Sequence, residues 1–453
     1  MKHNQSPLRF IDLFSGLGGF HQALARLGHE CVFACEIDEK LATLYEKNFD
    51  IRPYGDIRKL DISTIPNHDI LCAGFPCQPF SKAGEQKGFN CPKSGNLIDY
   101  ILDILQQKKP EYLILENVPN FIKHDNGKTW EELFSRLEKC EYDIDKKILS
   151  PHHFGVPHRR ERLIIVGSRK GLHKFTWPPV NKITDHSIKD ILDRFPNDAR
   201  PLETFKEQVL EIWQEFIELF PSDKELPSFP IWAMEFGADY PFENETPYKI
   251  WNKNLTNFKG SFGISLKDLH HENIANLLPS YAVTKQEEFP VWKRYFIRAN
   301  RQLYKENKSW IDPWLKKLIA LPASAQKLEW NCKGEKRNLY DHIIQFRPSG
   351  IRVKRATMAP SLVASTITQL PIIPWENRFM TVRECSRLQS MGDLKYLLNS
   401  DRASFKALGN AVNVDVIFQV ADALLSLRAK EGKAVSKASG DEKKGVTDDQ
   451  QAA

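Results

Sequence analysis

The run Asp69-Ile-Leu-Cys-Ala-Gly-Phe-Pro-Cys-Gln-Pro-Phe-Ser81 delivers a cysteine from an apolar strand into a loop stiffened by Pro76 and Pro79. A thiol in that position suits nucleophilic chemistry if a helix N-terminus or a nearby arginine favours its thiolate, since a free cysteine has a pKa of about 8.5. Cys77 is that thiol, whereas Cys72, inside the strand, reads as a buried structural cysteine. A second chemical signal is Phe14-Ser-Gly-Leu-Gly-Gly-Phe20, a glycine-rich turn between a strand and a helix, where a ligand can approach the backbone. Glu36 closes the next strand twenty residues after Gly16, where a carboxylate can bind the two hydroxyls of a ribose. Together they imply a nucleoside-containing cofactor, the alternative being an ordinary turn beside an exposed glutamate. Asp56, in Gly55-Asp-Ile57, could accept from an exocyclic amino group such as that of adenine, or be a plain loop aspartate.

The elements that must position these residues follow from hydrophobic patterning. Short apolar runs at Phe10 to Phe14, Cys31 to Glu36, Asp69 to Ala73, Tyr112 to Glu116 and Leu163 to Val166 alternate with amphipathic stretches, the signature of strand-helix units. Phe20, Ala23, Leu24 and Leu27 share one helical face, and Gly28 is a natural stop. The fold class expected is α/β, a doubly wound Rossmann-like domain with a mixed, mostly parallel sheet. From about 171 to 380 regular alternation fades into aromatic- and proline-containing segments, read as a second, irregular domain. Thr381-Val-Arg-Glu384 has the form of a capping box opening a helix to about Met391, and a last helix spans Ala411 to Leu427. The division expected is therefore 1–170 with 381–428, then 171–380, with a charged tail at 429–453 that has little to bury and should be disordered.

Composition excludes several classes. With 453 residues, 41% hydrophobic and 27% charged, the chain is neither fibrous nor wholly disordered, and two or three compact units are expected. The net charge of +6 permits a polyanionic partner without demonstrating one. No run of eighteen apolar residues and no signal-peptide core occur, which points to the cytoplasm and away from membranes. Eight scattered cysteines fit a reducing compartment. Cys31 and Cys35 lack a second closely spaced His/Cys pair, so no metal site is expected.

Five blocks then fall into a known order. Asp12-Leu-Phe-Ser-Gly-Leu-Gly-Gly19, Pro76-Cys77-Gln78, Glu116-Asn117-Val118, Arg160-Glu161-Arg162 and Gly409-Asn410-Ala411-Val412 resemble the DNA cytosine-5 methyltransferase family of bacterial restriction-modification systems. The resemblance covers residues 9–168 and 381 to about 426. It implies S-adenosyl-L-methionine as methyl donor, double-stranded DNA as substrate and a target cytosine flipped out of the helix. Cys77 would add to carbon 6 of the base and make carbon 5 nucleophilic. Glu116, with a raised pKa, would supply a proton at ring nitrogen 3, while Arg162 and Arg160 hold the base carbonyl, the thiol or a phosphate. By position, Phe14, Leu17 and Gly19 surround the methionine part and Glu36 binds the ribose. Ile37 and Ile57 face adenine, Asp56 its amino group, and Pro76, Leu97, Asn410 and Val412 close the pocket.

For DNA the resemblance offers Gln78 and Ser81 in the cysteine loop and Thr366 near the target base; in the second or target-recognition domain the basic run with Arg347, Arg352, Lys354 and Arg355 is a candidate for phosphate contacts, the alternative being a solvated basic turn. A monomer is implied, with a cognate restriction endonuclease as a partner in function. Three positions depart from the family pattern: His158 replaces a frequent Gln, Ile37 an aromatic, and Ser94-Gly95 an Arg-Gly pair. Two rival functions keep the fold, RNA cytosine methylation and a catalytically silent DNA-binding regulator. The long 171–380 segment argues against the first, and intact Cys77, Glu116 and Arg162 against the second.

Overall fold

The computed structural model describes residues 6–76, 97–180, 187–251, 255–362 and 369–441, with side chains omitted at 271 and 429–441. These residues fall into two units, described separately: those within Met1–Ile191, Ser361–Ile367 and Val382–Ala453, and those within Leu192–Pro360 and Thr368–Thr381.

The first unit is built on strands β1 (Arg9–Leu13), β2 (Glu30–Cys35), β3 (Ile70–Gly74), β4 (Tyr112–Asn117), β5 (Asp143–Leu149) and β6 (Arg162–Ser168). Helices α1 (Gly19–Arg26), α2 (Glu39–Phe49), α3 (Leu97–Lys108) and α4 (Lys128–Lys139) connect them. The sheet order is β2-β1-β3-β4-β6-β5. β1 pairs in parallel with β2 and β3, and β3 with β4, while β6 runs antiparallel to both β4 and β5. Alternate strand residues Ile11, Leu71, Ala73, Leu113, Leu115 and Ile165 join apolar residues of α3 and α4 in one core cluster, as the two-residue period of a strand requires. β5 is absent from the sequence reading because an edge strand carrying Asp143, Asp145, Lys146 and Lys147 shows little apolar patterning.

Strand order reverses between β1 and β3. In an open α/β sheet, that switch point at the carboxyl ends of the strands is where ligands bind. The ends of β1, β2, β3 and β4 carry the glycine-rich turn, Glu36, Phe75-Pro76 and Glu116 respectively.

The second unit corrects the expectation of an irregular domain. It holds α5 (Thr204–Leu219), β7 (Ile231–Trp232), α6 (His271–Asn276), α7 (Val291–Leu318), β8 (Lys327–Asn331), β9 (Ile343–Arg347), β10 (Gly350–Lys354), β11 (Ile372–Ile373) and β12 (Arg378–Phe379). A second sheet has the order β12-β11-β9-β10-β8-β7. Strands of two residues carry no readable alternation, and α7 contains Pro313 and a non-helical Asn307, both of which break the period. Trp213, Phe216 and Trp314 interlock α5 with α7. The boundaries also shift: the second unit starts at Leu192 rather than 171, and Ser361 and Leu362 belong to the first.

The chain returns to the first unit through α8 (Val382–Leu388), α9 (Asp401–Asn410) and α10 (Val414–Asp441), and α10 packs on α1. The span Asp401–Arg428 is apolar enough by composition to cross a bilayer, yet most of it is buried in the protein. α10 continues past Arg428 to Asp441, where disorder was expected. A helix already nucleated adds one hydrogen bond per residue, and Ala, Lys and Glu propagate it without needing burial.

Gly167 lies in β6 between β4 and β5, and an added Cβ would sit 2.8 Å from Leu113 Cγ and 3.0 Å from Ile144 Cγ2. Gly167→Val is expected to cost about 1–3 kcal/mol by overpacking, seen as a lower urea midpoint with an unchanged slope. An unchanged midpoint would contradict this close approach.

Candidate active site

Glu116 is the penultimate residue of β4, 7% exposed, and its Oε1 lies 3.0 Å from Arg162 Nε at the start of β6. The antiparallel register opposes Glu116 to Ile164 and Asn117 to Leu163, which brings Arg162 alongside. Burial pushes the Glu116 carboxyl above the ordinary carboxylate range, and Arg162 and Arg160 only partly oppose this. A buried acid held toward its protonated form is suited to donating a proton. Next to it, Asn117 Nδ2 donates to the Phe75 carbonyl at 3.3 Å and so fastens the end of β3, two residues before Cys77. Cys77, Gln78, Ser81, Ser94 and Gly95 lie outside the described residues, as does Thr366. Burial drives the Cys72 thiol well above its usual value, in keeping with a structural role.

Across the switch point, Phe14 takes a left-handed φ of 58° and Gly18 one of 75°, which turn the chain sharply into α1. Glu36 Oε2 accepts from Gly16 N at 2.9 Å and Oε1 from Asp38 N at 2.8 Å. Each carboxylate oxygen keeps acceptor capacity beyond these bonds, as a ribose diol requires. The Ser15 hydroxyl in the same turn is buried and has no partner among the described residues. An orphaned donor beside a pre-oriented carboxylate fits a polar nucleoside ligand. Pairing of Cys35 with Tyr54 brings the following residues alongside the end of β2. There Asp56 is bound through both oxygens to Arg58, which holds its carboxyl below the usual range. Ile37 is 66% exposed and available to a flat ring, whereas Ile57 packs in the core. Leu17 is buried, Leu97 opens α3 half-buried, and Pro76 is half-buried at the edge of the described region.

The C-terminal block closes this site. A Cβ on Gly19 would lie 2.6 Å from the Val412 carbonyl oxygen, and one on Gly74 would lie 3.2 Å from Val412 Cγ2 and 3.7 Å from Glu116 Oε2. Val412 thus sits against both the glycine turn and the strand end beside Glu116, while Asn410 ends α9 exposed. Glu116, Arg160, Arg162, Val412 and Asn413 line a common pocket.

Arg160 is engaged differently from Arg162. It is 3% exposed, and its guanidinium donates to the carbonyls of Gly409 at 2.7 Å, Ala411 at 3.2 Å and Leu362 at 3.3 Å. These bonds anchor it to the protein's own backbone, where it also lines the pocket with Glu116. The sequence reading missed the partners of that backbone, Gln389 and Asn413, which carry no motif of their own.

The profile of the family described as C-5 cytosine-specific DNA methylase matches residues 8–426. The chain belongs to that family. Among relatives, type II methyltransferase M.MspI from Moraxella sp. is 41% identical over 42% of this chain and 48% of its own. M.HhaI from Haemophilus parahaemolyticus is 44% identical over 41% of this chain and 57% of its own. The chain thus spans about half the length of these curated relatives, whereas M.AluI from Cellulosimicrobium cellulans is 29% identical over 92% of both chains. The fold matches that of the Entamoeba histolytica methyltransferase EhMeth, with a TM-score of 0.52 at 18% identity over 93% of this chain and 99% of that one. A putative DNA modification methyltransferase of an E. coli prophage gives 0.50 at 19% identity, over 93% and 99%.

In the second unit, the basic run expected to meet phosphate is the β9–β10 hairpin. Glu329 of β8 pairs with both Arg347 and Arg352, and Glu335 pairs with Arg355. Two glutamates thus offset part of the charge of Arg347, Arg352, Lys354 and Arg355 within the unit.

The raised carboxyl of Glu116 sets a pH dependence of stability. Because the folded chain keeps its proton to higher pH than the unfolded chain, the stability gained is complete below the unfolded value of about 4.3 and is lost as pH rises through the folded value. Glu116→Gln, neutral throughout, should therefore gain on the wild type in melting temperature as pH rises above the unfolded value of about 4.3. A constant offset over that range would contradict the raised carboxyl.

Proposed function

We propose that this chain transfers a methyl group from S-adenosyl-L-methionine to carbon 5 of a cytosine flipped out of a short duplex DNA sequence. The observation that carries the reading is the buried Glu116–Arg162 pair at the end of β4, beside a strand end that leads directly to Cys77. Family membership and the type II methyltransferases among its relatives support the reaction class and DNA as the substrate.

Glu36, Ser15 and the glycine turn would hold the donor, which when bound supplies an electrophilic methyl group. The Cys77 thiolate forms a bond to carbon 6 of the cytosine, and Glu116 gives its proton to ring nitrogen 3, so that no full negative charge builds on the ring. Arg162, fixed against Glu116, has a guanidinium fork suited to the base carbonyl. Carbon 5 would take the methyl group as the donor's methyl–sulfur bond breaks, leaving S-adenosylhomocysteine; its proton then passes to water, the bond from the Cys77 sulfur to carbon 6 breaks to give back the thiolate, and the nitrogen 3 proton returns to Glu116. Extruding the base costs a few kcal/mol, which contacts to the DNA must offset. The reading extends to a monomer in the cytoplasm, serving as the modification partner of an endonuclease that cuts the same site.

The test is bisulfite sequencing of plasmid DNA from cells that lack cytosine methylation of their own and express the full chain or its Cys77→Ala variant. Protected cytosines in one short motif are expected with the wild type and none with the variant. No protection from well-expressed wild-type protein would sink the DNA reading and point to RNA or to a silent DNA-binding role.

A further inference from the structure

Several buried side chains take no part in this chemistry yet converge on one stretch of backbone. His158 is fully buried on the approach to β6, and its Nδ1 lies 2.9 Å from the carbonyl oxygen of Leu388, the last residue of α8. Asn413 Nδ2 donates to the same oxygen at 3.2 Å. Gln389 Nε2 donates to Leu408 O at 2.6 Å and shares Ala411 O with Arg160. Arg160 and Gln389 thus hold the carbonyls of Leu408, Gly409 and Ala411, while Leu388 O, shared by His158 and Asn413, ties Asn413 to the end of α8, and Val412 between these two anchorages abuts Gly19. Buried polar groups bonded in this way favour one arrangement, because each broken bond strands a partner away from water.

We propose that His158 is a positioning residue for the cofactor pocket. It fixes the end of α8 and, through the carbonyl shared with Asn413, the turn that presses Val412 onto the glycine-rich loop. The proposal rests on the cofactor reading above. In the tautomer with hydrogen on Nδ1, the imidazole donates to Leu388 O, and its Nε2 accepts from Leu362 N at 3.4 Å. A side-chain amide offers the same combination of one donor and one acceptor. Glutamine should therefore replace His158, and a side chain that only fills the space should not.

The experiment measures binding of S-adenosylhomocysteine to the purified full chain by calorimetry, alongside amide exchange at Val414, whose N–H donates to Gln389 O at 3.1 Å. Loss of a buried hydrogen bond predicts about tenfold weaker binding in His158→Phe. His158→Gln is expected to stay within about threefold of the wild type. Val414 exchange should quicken in the phenylalanine variant and not in the glutamine one. Should His158→Phe fail to fold, Asn413→Leu removes the other donor to the same carbonyl and should give the same pair of changes. Unchanged affinity and exchange in a folded His158→Phe or Asn413→Leu would overturn the proposal. A wild type that fails to bind the probe would instead defeat the cofactor reading, and the exchange comparison would still judge His158.

Discussion

The antiparallel pairing of β6 with β4 is the constraint on which the site depends. In a wholly parallel sheet Arg162, at the start of its strand, would stand at the opposite edge from Glu116, near the end of its own. Reversing one strand brings them to 3.0 Å. A carboxyl as buried as Glu116 could not be tolerated as an isolated charge. Arg162 and Arg160 make its ionised form possible, and burial keeps the protonated form within reach. A group balanced in this way can give up a proton and take it back.

The second dependence is on a segment remote in sequence. α8 to α10 begin more than two hundred residues after β6, yet Val412 lies against Gly19 and Gly74, near Glu116. Glycine is needed at Gly19, where a Cβ would lie 2.6 Å from the Val412 carbonyl oxygen, while at Gly74 a Cβ would meet only the Val412 side chain, at 3.2 Å. Apolar burial of residues such as Leu388, Met391, Leu408, Ile417 and Leu424 holds the returning segment, and hydrogen bonds of buried Arg160, Gln389, His158 and Asn413 to backbone carbonyls add to it. Such bonds are directional, so they fix where Val412 sits as well as holding it near.

Charge in the second unit illustrates why a basic run is a weak guide to a binding surface. Arg347 and Arg352 share Glu329, a residue on a neighbouring strand with no sequence relation to either. Net charge along the chain and net charge on a folded face are different quantities.

The sequence by itself determined the local elements and the chemistry they bear. Strand-ending Glu36 and Glu116 and the glycine turn were legible because apolar runs mark strands and special residues punctuate their ends. It also fixed the family, since ordered blocks of reactive residues seldom arise otherwise. What it left undetermined depends on partners distant in the chain. The edge strand β5, the short strands of the second unit and the helical course of 429–441 leave no apolar period to read. Arg160, besides lining the pocket with Glu116, grips Gly409, Ala411 and Leu362, and His158, a departure from the family pattern, holds Leu388. Hydrogen bonds to backbone carbonyls place no demand on the identity of the accepting residue, so no sequence pattern records them, and only the tertiary structure could decide which side chains build the site and which hold it in place.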